Sequence, residues 1–310
     1  MKKSISKSIV AAALSLPVMA FAGTLPITFD TNGGLPGGAF TVDLLDWAPG
    51  NALAVGGNPS AGLTPGSVFQ LLYQANLTGA SLNGNNVVAP GINTAQRFTI
   101  VAGVQEVVVA NGSGSAQFSM FSAPVASATN FFNIYANALG GDNLTGLGFT
   151  AGSLIMSGHI ASISSSGYNT LGLPPSALDN FGANNYPGIL SIIGSGSTDV
   201  NVKIDMVDAL YFPTLTGGNV FSFTNTSQVT PFNQVNPSAL FSSNGVANGD
   251  VLANIGPVNG QTQNVNYNFQ FQADGNSSFT NSVPEPGSLA LLGLALGFAG
   301  VASRRSNKKA

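Results

Sequence analysis

The sequence predicts an all-β fold, with an antiparallel, sandwich-like body between an N-terminal signal peptide and a C-terminal single hydrophobic helix. Two observations predict the body. Short runs alternate apolar and polar residues with the period of a β-strand, and clusters of Gly, Asn, Asp and Pro separate these runs. Because many short strands with polar outer faces are typical of packed antiparallel sheets, we expect a sandwich or a related all-β fold.

Residues 1–22 have the pattern of a secretory signal peptide. Three lysines precede a mostly apolar stretch, residues 9–22, which is too short to span a bilayer as a helix. Ala20 and Ala22 place small side chains at the two positions that signal peptidase reads. We therefore expect cleavage after Ala22, with Gly23 as the new N-terminus.

The strongest strand prediction lies near the end of the body. In residues 264–273 alternate positions from Val265 to Ala273 are apolar, and amide side chains fall on the other face. Thr198–Met206 alternates in the same way. The other predicted strands are Leu25–Asp30, Phe40–Trp47, Gln96–Ala102, Gln105–Ala110, Ala116–Phe121, Phe131–Tyr135, Leu154–Ile163 and Asn219–Thr224.

Two stretches of the body allow more than one interpretation. Ser67–Asn76 has apolar residues at helical spacing, and a strand is equally compatible with it. The roughly 30 residues after Gly167 are loop-like and fit either an insertion or a domain joint. We expect one domain, residues 23–273, followed by a linker at 274–282 and a tail at 283–310.

The body carries very little positive charge. Outside the two ends the chain keeps only Arg97 and Lys203 against eleven acidic side chains, a net charge of −9. Two cations cannot form a patch that neutralises phosphates, so nucleic acid is excluded as a partner. Asn, Ser, Thr and Gln supply the polar surface instead, which suits a polysaccharide-rich exterior and equally suits many inert secreted domains.

The cysteine and histidine counts exclude several kinds of site. The chain has no cysteine, which excludes thiol nucleophiles, cysteine-ligated zinc and iron–sulfur clusters. His159 is the only histidine, so one chain cannot form a site with two or three histidines. No GxSxG motif accompanies it. We expect a lone histidine on a sheet face rather than a Ser-His-Asp site.

The carboxylates also argue against a polysaccharide hydrolase. Glycosidases use two carboxylates at a set separation, and Glu106 is the only glutamate of the body. It precedes three valines and is expected to be a charge at the edge of a strand. No catalytic residue, enzyme activity or cofactor is therefore predicted.

A structural calcium site is the one alternative to a metal-free body. Asp142, Asp179, Asp250 and Asp274 fall in predicted loops, mostly rich in Gly and Asn, and calcium prefers such oxygen ligands. No Asp-x-Asp-x-Asp series occurs. The prediction is therefore no metal, with calcium as the alternative.

Five further residues have structural interpretations. Asp199, Asn201, Lys203 and Asp205 share one face of their strand by the period of two, as solvated strand faces do. Trp47 ends a predicted strand. We expect it to pack in the core, with stacking on a sugar ring as the alternative.

The last 28 residues combine three features in a fixed order. Val283, Pro284, Glu285 and Pro286 form an extended segment, because proline fixes φ and disfavours a helix before it. Residues 287–303 then carry no charge over 17 positions, at the short end of a membrane span. The basic end favours a cytoplasmic C-terminus. The predicted span residues are Leu289, Leu291, Leu292, Leu294, Leu296, Phe298 and Val301, and the basic stop is Arg304, Arg305, Lys308 and Lys309.

This tail resembles a PEP-CTERM sorting tail. The resemblance implies an exported protein of a Gram-negative bacterium that makes extracellular polysaccharide, held transiently in the inner membrane until an exosortase recognises and removes the tail. Two segments of the body, 46–57 and 69–78, are similar to flocculation-associated PEP-CTERM proteins. That similarity implies a protein of the cell surface or matrix that helps cells to aggregate with their exopolysaccharide.

Three hypotheses about function remain. The first is a non-enzymatic matrix protein that promotes flocculation by retaining exopolysaccharide on cells. A sheet surface rich in amides and hydroxyls would bind weakly at each contact and gain by multivalency. The alternatives are a secreted polysaccharide-modifying enzyme, which the shortage of carboxylates disfavours, and an adhesin module that binds protein partners.

Overall fold

The structure, a computed structural model, describes residues 24–57, 63–92, 96–182, 184–217, 220–243, 251–252, 259 and 268–280. In this part of the chain every regular element is a β-strand, and the paired strands are antiparallel. The predicted all-β, antiparallel, sandwich-like body is confirmed. The strands are β1 (Ile27–Asp30), β2 (Ala39–Val42), β3 (Leu44–Val55), β4 (Val68–Leu82), β5 (Asn85–Asn86), β6 (Arg97–Gly112), β7 (Ser115–Met120), β8 (Phe131–Asn137), β9 (Ser153–Thr170), β10 (Ser176–Ala177), β11 (Leu190–Ser191), β12 (Gly194–Val207), β13 (Val220–Thr230), β14 (Phe241–Ser242), β15 (Val251–Leu252) and β16 (Phe269–Thr280).

One large sheet closes on itself. Its strands follow each other in the order β3, β4, β6, β8, β9, β12, β13 and β16, and β16 pairs again with β3. β7 shares the position of β8, because both lie between β6 and β9 at different heights. Closure leaves these strands without a free edge, and the two halves of the sheet face each other across the core.

Side chains that point into the closed sheet form the main core. In β16 Phe269, Phe271 and Ala273 are buried there, as the alternating pattern predicted. In β12 Val200 and Val202 point inward in the same way. The hydrophobic effect of each large buried side chain stabilises the fold by about 1.5–3 kcal/mol relative to its exposure.

Aromatic clusters fill both ends of this core. At the terminal end, where Thr24 is bridged to Thr280, Phe29 stacks on Phe212 with ring centroids 5.0 Å apart. At the far end, where the β6–β7 hairpin lies, Tyr168 meets Phe269 edge to face at 5.4 Å. The two ends are separated by the length of β16, roughly 35–40 Å for its 12 residues.

A second apolar cluster lies outside the closed sheet. Leu53, Leu72 and Val101 point outward from β3, β4 and β6, and they pack against Phe232 and Phe241 from the segment 231–242. Residues 138–152 and 171–193 add to this layer through Phe149 and Leu178. One outer face of the sheet is therefore covered by long connections, and we call it the covered face.

The opposite outer face stays accessible. It consists of the outward side chains of β9, β12, β13 and the second half of β16, and we call it the open face. Ser162 and Ser164 are exposed there, while Asp199, Asn201 and Thr224 are half-buried. The expected solvated polar face of β12 is thus confirmed.

The structure decides whether Ser67–Asn76 is a helix or a strand, and it corrects the bounds of two neighbouring predictions. Within Ser67–Asn76, all residues from Val68 onward belong to strand β4, and the alternate residues Phe69, Tyr73 and Ala75 enter the core. The loop-like stretch begins later than expected, since β9 continues through Ser164–Gly167 to Thr170. The predicted pair Gln96–Ala102 and Gln105–Ala110 is one long strand, β6.

The prediction of a linker at 274–282 is wrong for its first seven residues. Asp274 to Thr280 continue β16 and pair with both β13 and β3. The segment is polar enough to look like a linker, yet Ser277 and Phe279 are buried at alternate positions. The compact body therefore extends from Thr24 to Thr280 instead of ending at residue 273.

Both sorting ends lie outside the described residues. These are the signal peptidase site with Ala20, Ala22 and Gly23, and the tail with its Val283–Pro286 motif, its apolar span and its basic stop. Their predicted roles stay predictions. Among the described residues, none forms a helix of the length and apolarity that a membrane span requires.

Candidate functional site

His159 lies in β9 and is bound to a carboxylate. Its Nδ1 atom is 2.7 Å from Oδ2 of Asp205 on the neighbouring strand β12. The ring is mostly buried, as expected for a lone histidine on a sheet face. This pair holds the ring at the terminal end of the sheet and supplies no nucleophile.

Glu106 is buried in the interior, so its prediction as a strand-edge charge is wrong. It lies in β6 with 1% of its surface exposed, and its Oε1 atom has no hydrogen-bond partner among the described residues. Burial raises its pKa to about 7, and a hydrogen bond with Ser166 opposes this rise. Phe69, Phe118 and Tyr168 line the same cavity of about 30 Å³, in which no second carboxylate takes part. A carboxylate pair for glycoside hydrolysis is therefore absent from this cavity.

Trp47 packs in the core, as expected. Its side chain is fully buried, and its Nε1–H donates a hydrogen bond of 2.7 Å to Oγ of Ser277. A buried indole satisfied in this way presents no ring face to a ligand.

The aspartates of the calcium alternative hold their own loops. Asp142 accepts hydrogen bonds from the Leu144 backbone and the Thr145 hydroxyl, both 2.9 Å long. Asp179 accepts three backbone N–H groups at 3.1 Å, from Phe181, Gly182 and Asn184. Asp274 lies in β16 and Asp250 lies outside the described residues. Within the described part of the chain, no three acidic or histidine side chains form a group that fits a metal ion.

The open face carries a ladder of hydrogen bonds between side chains of neighbouring strands. The amide of Asn201 donates to the hydroxyls of Ser162 and Ser164 at 3.0 and 3.1 Å, and it accepts from Ser222 at 3.3 Å. One step along, Ser165 donates to Asp199 at 2.6 Å. The ladder fixes polar groups across three strands while leaving them in contact with solvent.

A cleft opens at the far end of the sheet, and we call it the end cleft. Its volume is about 780 Å³, and it lies between β7, β9, β12 and the end of β13. Its exposed polar lining consists of Ser115, Gln117, Ser164, Ser165, Asn169, Ser195 and Ser197, of which Ser164 and Ser165 also belong to the open-face ladder. None of the side chains that line it is charged.

Glycine and a β-bulge explain why the cleft forms here. A Cβ atom on Gly196 would lie 2.3 Å from the carbonyl oxygen of Gly167, so only glycine allows β12 and β9 to approach this closely. The register of β12 against β13 shifts between Gly196 and Thr198, and this bulge leaves Ser197 without a partner on β13.

No sequence pattern predicted the end cleft. Three short runs rich in serine and glycine, which are far apart in the chain, contribute to its walls: Ser115 at the end of 112–115, all of 164–167, and residues 195–197. Each run alone looks like a turn. The signal was their shared composition, but only the closed sheet brings them to one end.

Comparison with known proteins identifies the C-terminal segment. Residues 282–306 match the family model of the PEP-CTERM protein-sorting motif. This motif implies that the chain is exported, is anchored transiently in a membrane and is sorted in an exosortase-dependent way. No protein with a curated description and no solved structure matches the chain, so the similarity of the body to flocculation-associated proteins stays a prediction.

Proposed function

We propose that this exported protein is a non-enzymatic component of the cell surface or extracellular matrix that promotes flocculation by retaining exopolysaccharide on cells. The observation that carries the proposal is the open face, where the half-buried amide of Asn201 and serine hydroxyls of the two neighbouring strands form one partly exposed polar surface. Hydroxyl and amide groups both donate and accept hydrogen bonds, as sugar hydroxyls do.

The exposed surface suits retention better than catalysis. Each hydrogen bond between protein and sugar replaces bonds to water and contributes only about 0.5–1.5 kcal/mol. A long polysaccharide meets many such surfaces on many copies of the protein, and the combined attachment is then much stronger than one contact. The burial of Glu106, without a second carboxylate in its cavity, supports the same conclusion, because a glycoside hydrolase needs two accessible carboxylates.

A deletion strain of the source bacterium tests this function. Settling rate, cell-bound polysaccharide and soluble polysaccharide are measured together, with the wild-type gene restored as the control. We expect the cells to disperse while total polysaccharide stays constant and moves to the medium.

Two results would contradict the proposal. Unchanged settling would remove the role in flocculation. Dispersed cells that keep their polysaccharide would indicate an adhesin that binds protein partners instead.

A further inference from the structure

We propose that the end cleft binds an uncharged segment of a polysaccharide. This inference rests on the proposed function and goes further, because it names one site, at the far end of the open face, and a class of sugar. It follows from the size, lining, charge and position of the cleft.

The size and lining of the cleft fit a short stretch of sugar. Ligand sites occupy roughly 300–1,000 Å³, and the end cleft falls in this range with about 780 Å³. Gln117 and Asn169 present amides, and Ser115, Ser195 and Ser197 present hydroxyls, all exposed to solvent. Such groups match the alternating donors and acceptors of a sugar without requiring a charge.

The floor of the cleft is fixed and partly aromatic. The half-buried ring of Phe118 packs edge to face on Phe69, with centroids 5.0 Å apart. Beside it, the amide of Gln228 donates to Thr198 at 2.9 Å, and Thr198 shares a hydrogen bond of 2.9 Å with Ser166. Side chains held in this way lose little conformational entropy when a ligand binds.

The charges around the cleft disfavour an acidic sugar. The two cations of the body lie toward the terminal end, with Lys203 six residues from Ser197, or roughly 20 Å along β12. Nearer to the cleft lie the carboxylate of Asp199, bound by Ser165, and Glu106 beneath the floor. An anionic sugar would therefore leave water without gaining a cation as partner.

The cleft and the two ends of the described body lie at opposite ends of the sheet. Val229 at its rim pairs with Gln272, which precedes Thr280 by eight residues, or roughly 25 Å along β16. Thr24 and Thr280 are bridged at the other end of the sheet. Both termini of the described body thus leave from the end that the cleft does not occupy.

Opposite charges placed at Ser197 test both the site and the class of sugar. Ser197→Lys and Ser197→Glu each place a long charged side chain in the cleft at the bulge, where β13 offers no pairing partner to disturb. Ser119→Lys and Ser119→Glu are the matched controls, because Ser119 is an exposed serine of β7 outside the cleft. Each variant is purified as the processed protein from the deletion strain, and its thermal unfolding checks the fold.

The probes are the neutral and acidic fractions of the strain's own polysaccharide, separated by anion exchange and immobilised. We expect the wild-type protein to bind the neutral fraction, both Ser197 variants to bind it about tenfold more weakly, and both Ser119 variants to bind it normally. Tighter binding of the acidic fraction by Ser197→Lys, but not by Ser197→Glu, would contradict the proposal that the ligand is uncharged. Wild-type affinity in both Ser197 variants, or no binding of the neutral fraction, would overturn the site.

The binding experiment tests the cleft and the deletion strain tests the flocculation role, and either proposal can fail without the other. Unchanged settling of the deletion strain removes the flocculation role whatever the cleft binds. Dispersal of that strain together with normal binding by the Ser197 variants leaves retention to the open face and removes the cleft.

Discussion

The covered face and the open face of the sheet both carry carboxamide side chains, but these side chains bind different partners. On the covered face, Gln74 donates to the carbonyl of Leu240 at 2.9 Å and accepts from the backbone of Ser242 at 3.2 Å. On the open face, Asn201 bonds only to serine hydroxyls of neighbouring strands. Gln74 is completely buried, whereas Asn201 stays in contact with water.

The covered face shows how amides attach irregular chain to a sheet. A carboxamide has the same donor and acceptor as a peptide group. When a connection passes over the sheet, an outward-pointing carboxamide can therefore bind its backbone as a neighbouring strand would. Gln272 accepts from the backbone of Asn233 and Gln234 at 3.2 and 2.8 Å, and Asn51 accepts from Ser238 at 2.8 Å. The same pattern without an overlying connection leaves a polar surface free for ligands.

The largest expected effect comes from removing one of the anchoring amides. Gln74→Leu keeps the approximate volume but leaves the part-buried carbonyl of Leu240 and the buried N–H of Ser242 without these partners, each at a cost of about 1–3 kcal/mol. We expect the free energy of unfolding in urea to fall by about 4 kcal/mol. Gln117→Leu, the same change at an exposed position, should alter it by less than about 0.5 kcal/mol. Equal effects at both positions would show that the two amides do not differ in role.

The second-largest expected effect on stability comes from the buried carboxyl group of Glu106. The pKa of Glu106 is about 7 in the fold against 4.5 for the free group, so the folded protein keeps a proton that the unfolded chain releases. This stabilising contribution is complete below about pH 4.5 and is lost as the pH rises to about 7. We expect wild-type stability to fall by about 3 kcal/mol across this window.

Glu106→Gln isolates that contribution. The amide cannot ionise, so the difference between wild-type and variant should change by about 3 kcal/mol between pH 4.5 and pH 8. Urea unfolding at several pH values measures it. Parallel stability curves for the two proteins would mean that Glu106 is solvated in the folded state.

The sequence predicted the fold class because period-two alternation directly reflects burial on one side of a strand. It predicted β12 and the apolar side of β16 for this reason. Closure of the sheet was not predictable, because the pairing of β16 with β3 joins segments about 220 residues apart and leaves no local pattern. The supposed linker at 274–282 failed because Gly275 and several small polar residues hide the alternation of Ser277 and Phe279.

The candidate sites were predictable to different degrees. The polar face of β12 follows from its alternation, and the structure adds the partners on β9 and β13. The burial of Glu106 could not be predicted, since a single charge beside three valines fits a strand edge equally well. The end cleft depends on three distant serine and glycine runs and on one bulge, none of which indicates a site by itself.

The smallest expected effect on stability is the most informative about function. Asn201→Ala removes three hydrogen bonds that water can replace, so we expect the free energy of unfolding to fall by less than about 1 kcal/mol. The same change frees Ser162, Ser164 and Ser222 and should reduce retention of polysaccharide by the open face. Sedimentation of the protein with the strain's polysaccharide measures this retention.

Asn76→Ala on the covered face is the matched control for Asn201→Ala. For it we expect a larger loss of stability and no loss of polysaccharide retention. Asn76 exchanges two hydrogen bonds with the backbone of Gly141, at 2.9 and 2.8 Å, and so holds a connection rather than a ligand. Its loss should lower stability by about 2 kcal/mol and leave retention unchanged. If Asn201→Ala retains polysaccharide as the wild-type protein does, the open face is only a solvated surface, because its ordered hydroxyls then contribute nothing to binding.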